Sequence, residues 1–356
     1  LYIEARVCKQ QNVIPSCSVP KPVYTFSGLP SRWFFANNIP AKSQRKNSND
    51  RTMDQLLALG RSVWEVIPKT SEIYGYLLNE NSRDAILAMD VEIASYGPDP
   101  RQKLDVYRSP ASAATEPPIL IFLYGGAWVE GDRVIDSIPN GLVYRNLGYF
   151  FAEKQGFETI IPDYRLVKHG AKYPSGAEDL ALVLEYVGHR YGAGRPIFVL
   201  GNSAGGVNAL TWLLGDVSTQ SREKSNVAGI VSLGALMDFD AVPPPLPDVL
   251  TQYFGVDYPS KSPSALLRSA SLNGWLKRTT LLPALLILWS ELDPEFIIKS
   301  NHDFVAQWKT NGLAVDVNEV MGHNHISPPM SLGTGLQAEE EWGASVAAWI
   351  RKHLTK

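Results

Sequence analysis

Apolar positions along this chain follow two alternating patterns. Short, wholly apolar runs such as Ile119-Leu120-Ile121-Phe122-Leu123-Tyr124 read as strands covered on both faces. Between such runs lie longer stretches with the spacing of one-sided helices. Residues 53–89 read as amphipathic helices broken near Pro68 and Gly75. Val91 to Tyr96 alternates as an edge strand does, and Gly97-Pro98-Asp99-Pro100 is a turn. Strands follow at 104–107 and 119–124, joined by a loose connection over 110–118.

The same rhythm then repeats. The pattern predicts a helix from Asn140 to Lys154, a strand at 159–161 and a helix at about 176–190. Pro196 to Leu200 is strand-like, and Val207 to Leu214 reads as a helix that stops at Gly215. Further strands fall at 227–233, 284–289 and 315–320, with helices over 295–310 and 339–354. Strands alternating with helices predict an α/β fold, with a mainly parallel, doubly wound sheet. No internal repeat interrupts the pattern.

One insertion does. Between Leu236 and Leu282 lies the proline-rich stretch Pro243-Pro244-Pro245-Leu246-Pro247, followed by helical pieces at 249–254 and 264–276. So long an insertion in a compact fold is usually functional, and a helical cap or lid over a site is the expectation. A decorative excursion is the alternative.

Composition narrows the class of protein. At 356 residues the chain is long enough to bury a large core. The net charge of −3 and the lack of a basic stripe argue against a nucleic-acid partner. No apolar run reaches the length of a membrane span. Both cysteines, Cys8 and Cys17, lie near the start, so the body of the chain has no disulfide and no cysteine-based metal site. That fits a reducing compartment. No basic stretch followed by an apolar one marks a secretory signal. A cytoplasmic location is therefore expected.

Residues 1–52 have no sustained period, and the first methionine is Met53, where the orderly pattern begins. Two readings stand side by side. The native start is Met53 and the upstream segment is leader or foreign sequence, or the segment is a real, partly ordered arm.

Gly201-Asn202-Ser203-Ala204-Gly205 follows the strand at 196–200 directly and precedes a helix. Strand, Gly-x-Ser-x-Gly, helix is the arrangement that lifts a serine clear of a sheet on a strained turn. The glycines are needed because a side chain at either place would strike the neighbouring backbone. A serine hydroxyl becomes a useful nucleophile only beside an imidazole base, which a carboxylate then orients. In this arrangement the chain order is serine, acid, histidine. Asp293, in Glu291-Leu292-Asp293-Pro294 after the strand at 284–289, is the candidate acid, with Glu291 as competitor. His325, in Gly322-His323-Asn324-His325 after the last strand, is the candidate base, with His323 as competitor.

Tyr124-Gly125-Gly126-Ala127-Trp128 follows the strand at 119–123. Paired glycines let the chain fold back and aim N–H groups at a site. Gly126, Ala127 and Ala204 are the candidate donors to an oxyanion. Tyr124, Trp128 and Asn202 are candidates for lining a substrate pocket, Trp128 equally well for the core. No cofactor is expected. The pair His323 and His325 lacks the further ligands a metal needs, and no phosphate-binding glycine pattern is present.

From about residue 91 onward the chain resembles the alpha/beta-hydrolase superfamily, in its hormone-sensitive-lipase-like and carboxylesterase branch. The matching pieces are 96–107, Gly125-Gly126-Ala127-Trp128, Asp163-Tyr164-Arg165, Gly201 to Gly206, Asp293-Pro294 and His325. The Gly-Gly-x-Trp form is also similar to kynurenine formamidases and prenylcysteine methylesterases. Tyr124 stands where the family motif has a histidine that braces the loop. The resemblance implies an alpha/beta-hydrolase fold with residues 53–356 as its domain. It implies a serine esterase that forms an acyl-enzyme from a small-molecule ester or amide. An aryl formamidase, a cyclase or acyltransferase of secondary metabolism, and a non-catalytic ligand-binding protein on the same fold are the alternatives. The oligomeric state is not legible.

Overall fold

A computed structural model describes residues 52–110, 116–192, 194–215, 225–274, 276 and 282–354. The irregular segment read over 1–52, with both cysteines, lies outside the described residues except for Thr52. The described strands are β1 (Val91–Ser95), β2 (Lys103–Tyr107), β3 (Ile119–Leu123), β4 (Glu158–Pro162), β5 (Ile197–Asn202), β6 (Val227–Leu233), β7 (Ala284–Leu292) and β8 (Asp316–Asn324). They form one sheet in the order β1-β2-β4-β3-β5-β6-β7-β8. β2 runs antiparallel to β1 and β4, and the other neighbouring pairs are parallel. β3 is buried along its whole length, as its unbroken apolar sequence requires.

The helices are α1 (Thr52–Leu57), α2 (Val63–Asn81), α3 (Arg83–Leu87), α4 (Arg145–Tyr149), α5 (Ser175–Tyr191), α6 (Ala204–Leu214), α7 (Leu246–Phe254), α8 (Pro263–Leu272), α9 (Glu295–Thr310), α10 (Ser327–Ser331) and α11 (Gln337–Lys352). Among the described residues no helix is long and apolar enough to cross a membrane.

Three elements differ from the sequence pattern. α2 runs unbroken through Pro68 and Gly75. A proline inside a helix costs about 3 kcal/mol. Val66, Thr70, Tyr74 and Leu78 form a buried stripe at four-residue spacing. Each large apolar side chain in that stripe contributes roughly 1.5–3 kcal/mol, so packing outweighs the break. The helix expected from Asn140 starts only at Arg145, because Asn140 and Gly141 have φ of +60° and +59°. Two left-handed residues in succession cannot sit in a right-handed helix. Finally, β8 continues to Asn324 and carries His323 into the sheet.

The strand order locates the crevice. The chain passes from β3 to β4 on one side and returns to β5 on the other side of β3. At such a switch point the loops after the two strands diverge and leave an opening. Leu123 at the end of β3 pairs in register with Gly201 near the end of β5. The loop at 124–128 and the turn at Ser203 therefore emerge side by side.

Candidate active site

Ser203 stands on the turn between β5 and α6 with φ +52° and ψ −118°. Such a backbone costs on the order of 1–3 kcal/mol and persists only where its surroundings hold it. Here the Ser203 N–H donates to the Leu233 carbonyl at 2.8 Å, and its carbonyl accepts from Gly206 at 3.0 Å. A Cβ on Gly205 would lie 2.1 Å from the Leu123 oxygen, and one on Gly201 2.5 Å from the Gly205 oxygen. Only glycine allows β3, β5 and α6 to approach so closely.

The Ser203 Oγ lies 2.9 Å from His325 Nε2, and His325 Nδ1 lies 2.6 Å from Asp293 Oδ1. A nitrogen facing a carboxylate at that distance carries the proton, which leaves Nε2 free to accept one from the serine. The second carboxylate oxygen of Asp293 accepts the Ser290 N–H at 2.8 Å. Asp293 is fully buried, His325 nearly so, and Ser203 remains partly open to solvent. Gly234, with φ +59°, forms the floor beneath the pair, and a Cβ there would lie 3.3 Å from the imidazole.

The two competitors are occupied elsewhere. Glu291 Oε2 accepts the Gly322 N–H at 2.7 Å and so ties the acid loop to the end of β8. The ring of His323 points into the interior, with Nδ1 2.9 Å from Ser327 Oγ. Burial lowers its pKa to about 4 and keeps it neutral. Sequence reasoning missed Asn324 between the two histidines. Its Oδ1 accepts the N–H groups of Ile326 and Ser327 at 3.0 Å, and its Nδ2 donates to Thr70 Oγ1 at 2.9 Å. An asparagine capping its own turn is the signal that was available.

The loop after β3 folds back sharply. Gly126, Ala127 and Trp128 have φ of +122°, +51° and +62°. A Cβ on Gly126 would sit 2.0 Å from the Glu130 oxygen, and one on Gly125 3.0 Å from the Ser203 Cβ. The loop thus lies directly against the serine. Among the described residues, no backbone carbonyl accepts the N–H of Gly126, Ala127 or Ala204.

Tyr124 is fully buried behind this loop. Its hydroxyl donates to Asp163 at 2.8 Å and accepts from Arg101 at 2.8 Å. Burial and the Asp163 charge push its pKa well up, so the phenol stays neutral. Tyr164 stacks on it at 4.8 Å and donates to the Tyr124 carbonyl at 3.0 Å. Arg133 joins Asp105 to Asp163, with 2.6 Å to Asp105. Trp128 is buried as well, donating from Nε1 to Asn208 Oδ1 at 2.9 Å. Asn202 is buried and donates weakly to the Leu233 carbonyl at 3.4 Å.

Among the described residues, no group of three or more His, Cys, Asp or Glu side chains is placed to hold a metal ion.

Sheet, switch point and serine turn together define an alpha/beta-hydrolase fold. The chain belongs to the BD-FAE family, whose model matches residues 104–304, more than half of the sequence. The match includes Ser203 and Asp293, and His325 lies beyond it. Among solved structures, the chain is similar to a hyperthermophilic esterase from the archaeon Pyrobaculum calidifontis. The TM-score is 0.59 at 21% identity, covering 84% of this chain and 96% of that one. Esterase B from Lactobacillus rhamnosis gives a TM-score of 0.57 at 16% identity, covering 84% of this chain and 95% of that one. At such identities the likeness speaks to fold.

Among curated proteins, esterase LipC of Mycobacterium tuberculosis is 36% identical over 115 residues, 31% of this chain and 26% of that protein. The isoprenylcysteine alpha-carbonyl methylesterase ICME of Arabidopsis thaliana is 26% identical over 179 residues, 49% of this chain and 38% of that protein. The chain thus spans between 26% and 38% of the length of these two relatives.

Proposed function

We propose that the protein is a serine hydrolase that cleaves a carboxylic ester. The observation that carries this reading is the unbroken chain of contacts from Ser203 Oγ through His325 to Asp293, at 2.9 and 2.6 Å. In the first half of the reaction, His325 Nε2 takes the hydroxyl proton as Ser203 Oγ attacks the ester carbonyl carbon. The carbonyl electron pair moves onto oxygen. The N–H groups of Gly126, Ala127 and Ala204 receive the resulting oxyanion, and such a donor is worth roughly 10²–10³ in rate. The buried carboxylate of Asp293 stabilises the imidazolium. When the tetrahedral adduct collapses, the alcohol leaves with the proton from His325, and the acyl group stays on Ser203. Water, deprotonated by the same imidazole, then releases the acid and restores the serine.

The insertion at 236–282 serves as a cap fastened to the oxyanion loop, through Tyr253 and Phe254 of α7 packed on Trp128. Tyr124 takes over the bracing role that the resemblance gives to a histidine, supported by its bonds to Asp163 and Arg101. The curated relatives named as esterases support the ester as the substrate class.

Hydrolysis of short aryl and alkyl esters by purified protein tests the reading. Wild type should release acid and alcohol in equal amounts. Ser203→Ala should lose the activity, and Asp293→Asn should fall by about 10⁴-fold because the imidazole loses its fixed tautomer. Undiminished turnover in Ser203→Ala would refute the mechanism. Turnover of an aryl formamide in preference to every ester would move the substrate class and leave the mechanism intact.

A further inference from the structure

We infer that Arg61, in the link between α1 and α2, is a positioning residue for Asp293. The inference rests on reading Ser203, His325 and Asp293 as the reacting set. One guanidinium nitrogen of Arg61 donates to two backbone carbonyls, Glu291 at 2.7 Å and Asp293 at 2.8 Å. Those carbonyls lie on either side of Leu292. Bridging them fixes the orientation of the peptide units on which the Asp293 side chain is mounted.

On its other side the acid turn is held to β8, by the Gly322 N–H to Glu291 at 2.7 Å and the pairing of Leu292 with Asn324. It closes on itself through Asp293 N–H to the Ser290 carbonyl at 3.0 Å and Ser290 N–H to the Asp293 carboxylate at 2.8 Å. Neither of these two bonds fixes how the peptide units at 291 and 293 are oriented relative to the rest of the fold. Arg61 adds a tie to a further element, the link between α1 and α2.

That element is itself anchored beside the histidine loop. Thr70 of α2 accepts from Asn324 at 2.9 Å, and Tyr74 donates to Glu339 of α11 at 2.6 Å. Met53 of α1 packs so closely on Gly322 that a Cβ there would lie 2.5 Å from its sulfur. α1 and α2 therefore hold the end of β8 with one set of contacts and the Asp293 turn with another. Acid and base are thereby registered to each other a second time, through a segment that lies before the family-matched residues 104–304. Arg61 is solvent-exposed and lines a surface cavity of about 390 Å³, so its removal leaves room for water and no packing defect.

The test is the rate at which a fluorophosphonate labels Ser203, with kcat and KM for an ester expressed per titratable serine. Arg61→Ala should lower the labelling rate and kcat about tenfold, a fraction of what a 1 Å misplacement costs, with KM within about twofold. Arg61→Lys, which keeps donors within reach of both carbonyls, should recover most of the loss. In an Asp293→Ala background, Arg61→Ala should have no further effect, because its action passes through that carboxylate. A labelled wild type whose rate is unchanged in Arg61→Ala overturns the assignment. So does an equal loss in the Asp293→Ala background. A wild-type serine that takes no label overturns the triad reading and this assignment with it.

Discussion

Trp128 lies flat against Tyr253, with ring centroids 5.2 Å apart and planes within 12°. The first residue ends the loop against Ser203, and the second belongs to the helix α7 of the insertion. Phe254 meets both rings edge-on, with centroids 4.8 Å from the indole and 4.8 Å from Tyr253. The Tyr253 hydroxyl in turn accepts the Gly176 N–H at the start of α5 at 2.8 Å. The insertion is thus joined to the loop and to the body of the fold at once. Because Ala127 and Trp128 both sit at positive φ, the loop needs an external hold to keep its backbone conformation.

Trp128→Ala should therefore lower kcat far more than it raises KM, by about 10²-fold. It should also cost roughly 3–5 kcal/mol of stability from the lost ring. Trp128→Phe keeps the stacking face and loses only the bond to Asn208, so its kcat should lie much closer to wild type. Steady-state kinetics with urea unfolding of the three proteins checks this. Equal kcat in wild type and Trp128→Ala would mean that the loop holds itself.

Glycine substitutions should separate steric from entropic effects. A Cβ at Gly205 meets the Leu123 carbonyl at 2.1 Å, and neither strand nor helix can yield there. Gly205→Ala should cost about 3 kcal/mol or more and remove activity. Gly188, in α5, has nothing within 4 Å of an added Cβ. Gly188→Ala should stabilise by about 0.5–1 kcal/mol with activity unchanged. Thermal melts of both variants provide the comparison.

Much of this was legible in the chain. Gly201 to Gly205 directly after an apolar strand points to the serine turn, and the chain order Ser203, Asp293, His325 points to the three side chains that the fold brings into contact. Those signals are local, or depend only on which strand precedes a loop. The contacts that hold the set in place are not local. Arg61 meets Asp293 across 232 positions, and Thr70 meets Asn324 across 254. No periodicity reports such pairs. α2 departs from its local pattern for the same reason, because Pro68 is a strong local signal and the buried stripe that overrides it is tertiary. Tyr124 carried a motif departure whose consequence became visible only beside Arg101 and Asp163.

His323 gives a stability signature in acid. Burial lowers its pKa to about 4, below the ordinary value near 6.5 of the unfolded chain. Between those values the unfolded state binds more protons, so stability is full above about 6.5 and declines as pH falls towards 4. At pH 5 the loss is about 2 kcal/mol relative to pH 7. Glu339, beside it, is pushed by burial above the usual carboxylate range and acts in the opposite sense. The comparison is therefore between wild type and His323→Gln. The variant should lack this part of the decline in urea midpoint between pH 7 and pH 5. Parallel curves would contradict a neutral buried imidazole.

The proposed mechanism requires Ser203 to be an activated nucleophile. Intact-mass measurement after exposure to a fluorophosphonate tests it most directly, on wild type and Ser203→Ala side by side. One adduct on every wild-type molecule and none on the variant is the predicted result. An unmodified wild type, or an adduct that persists in Ser203→Ala, would contradict it.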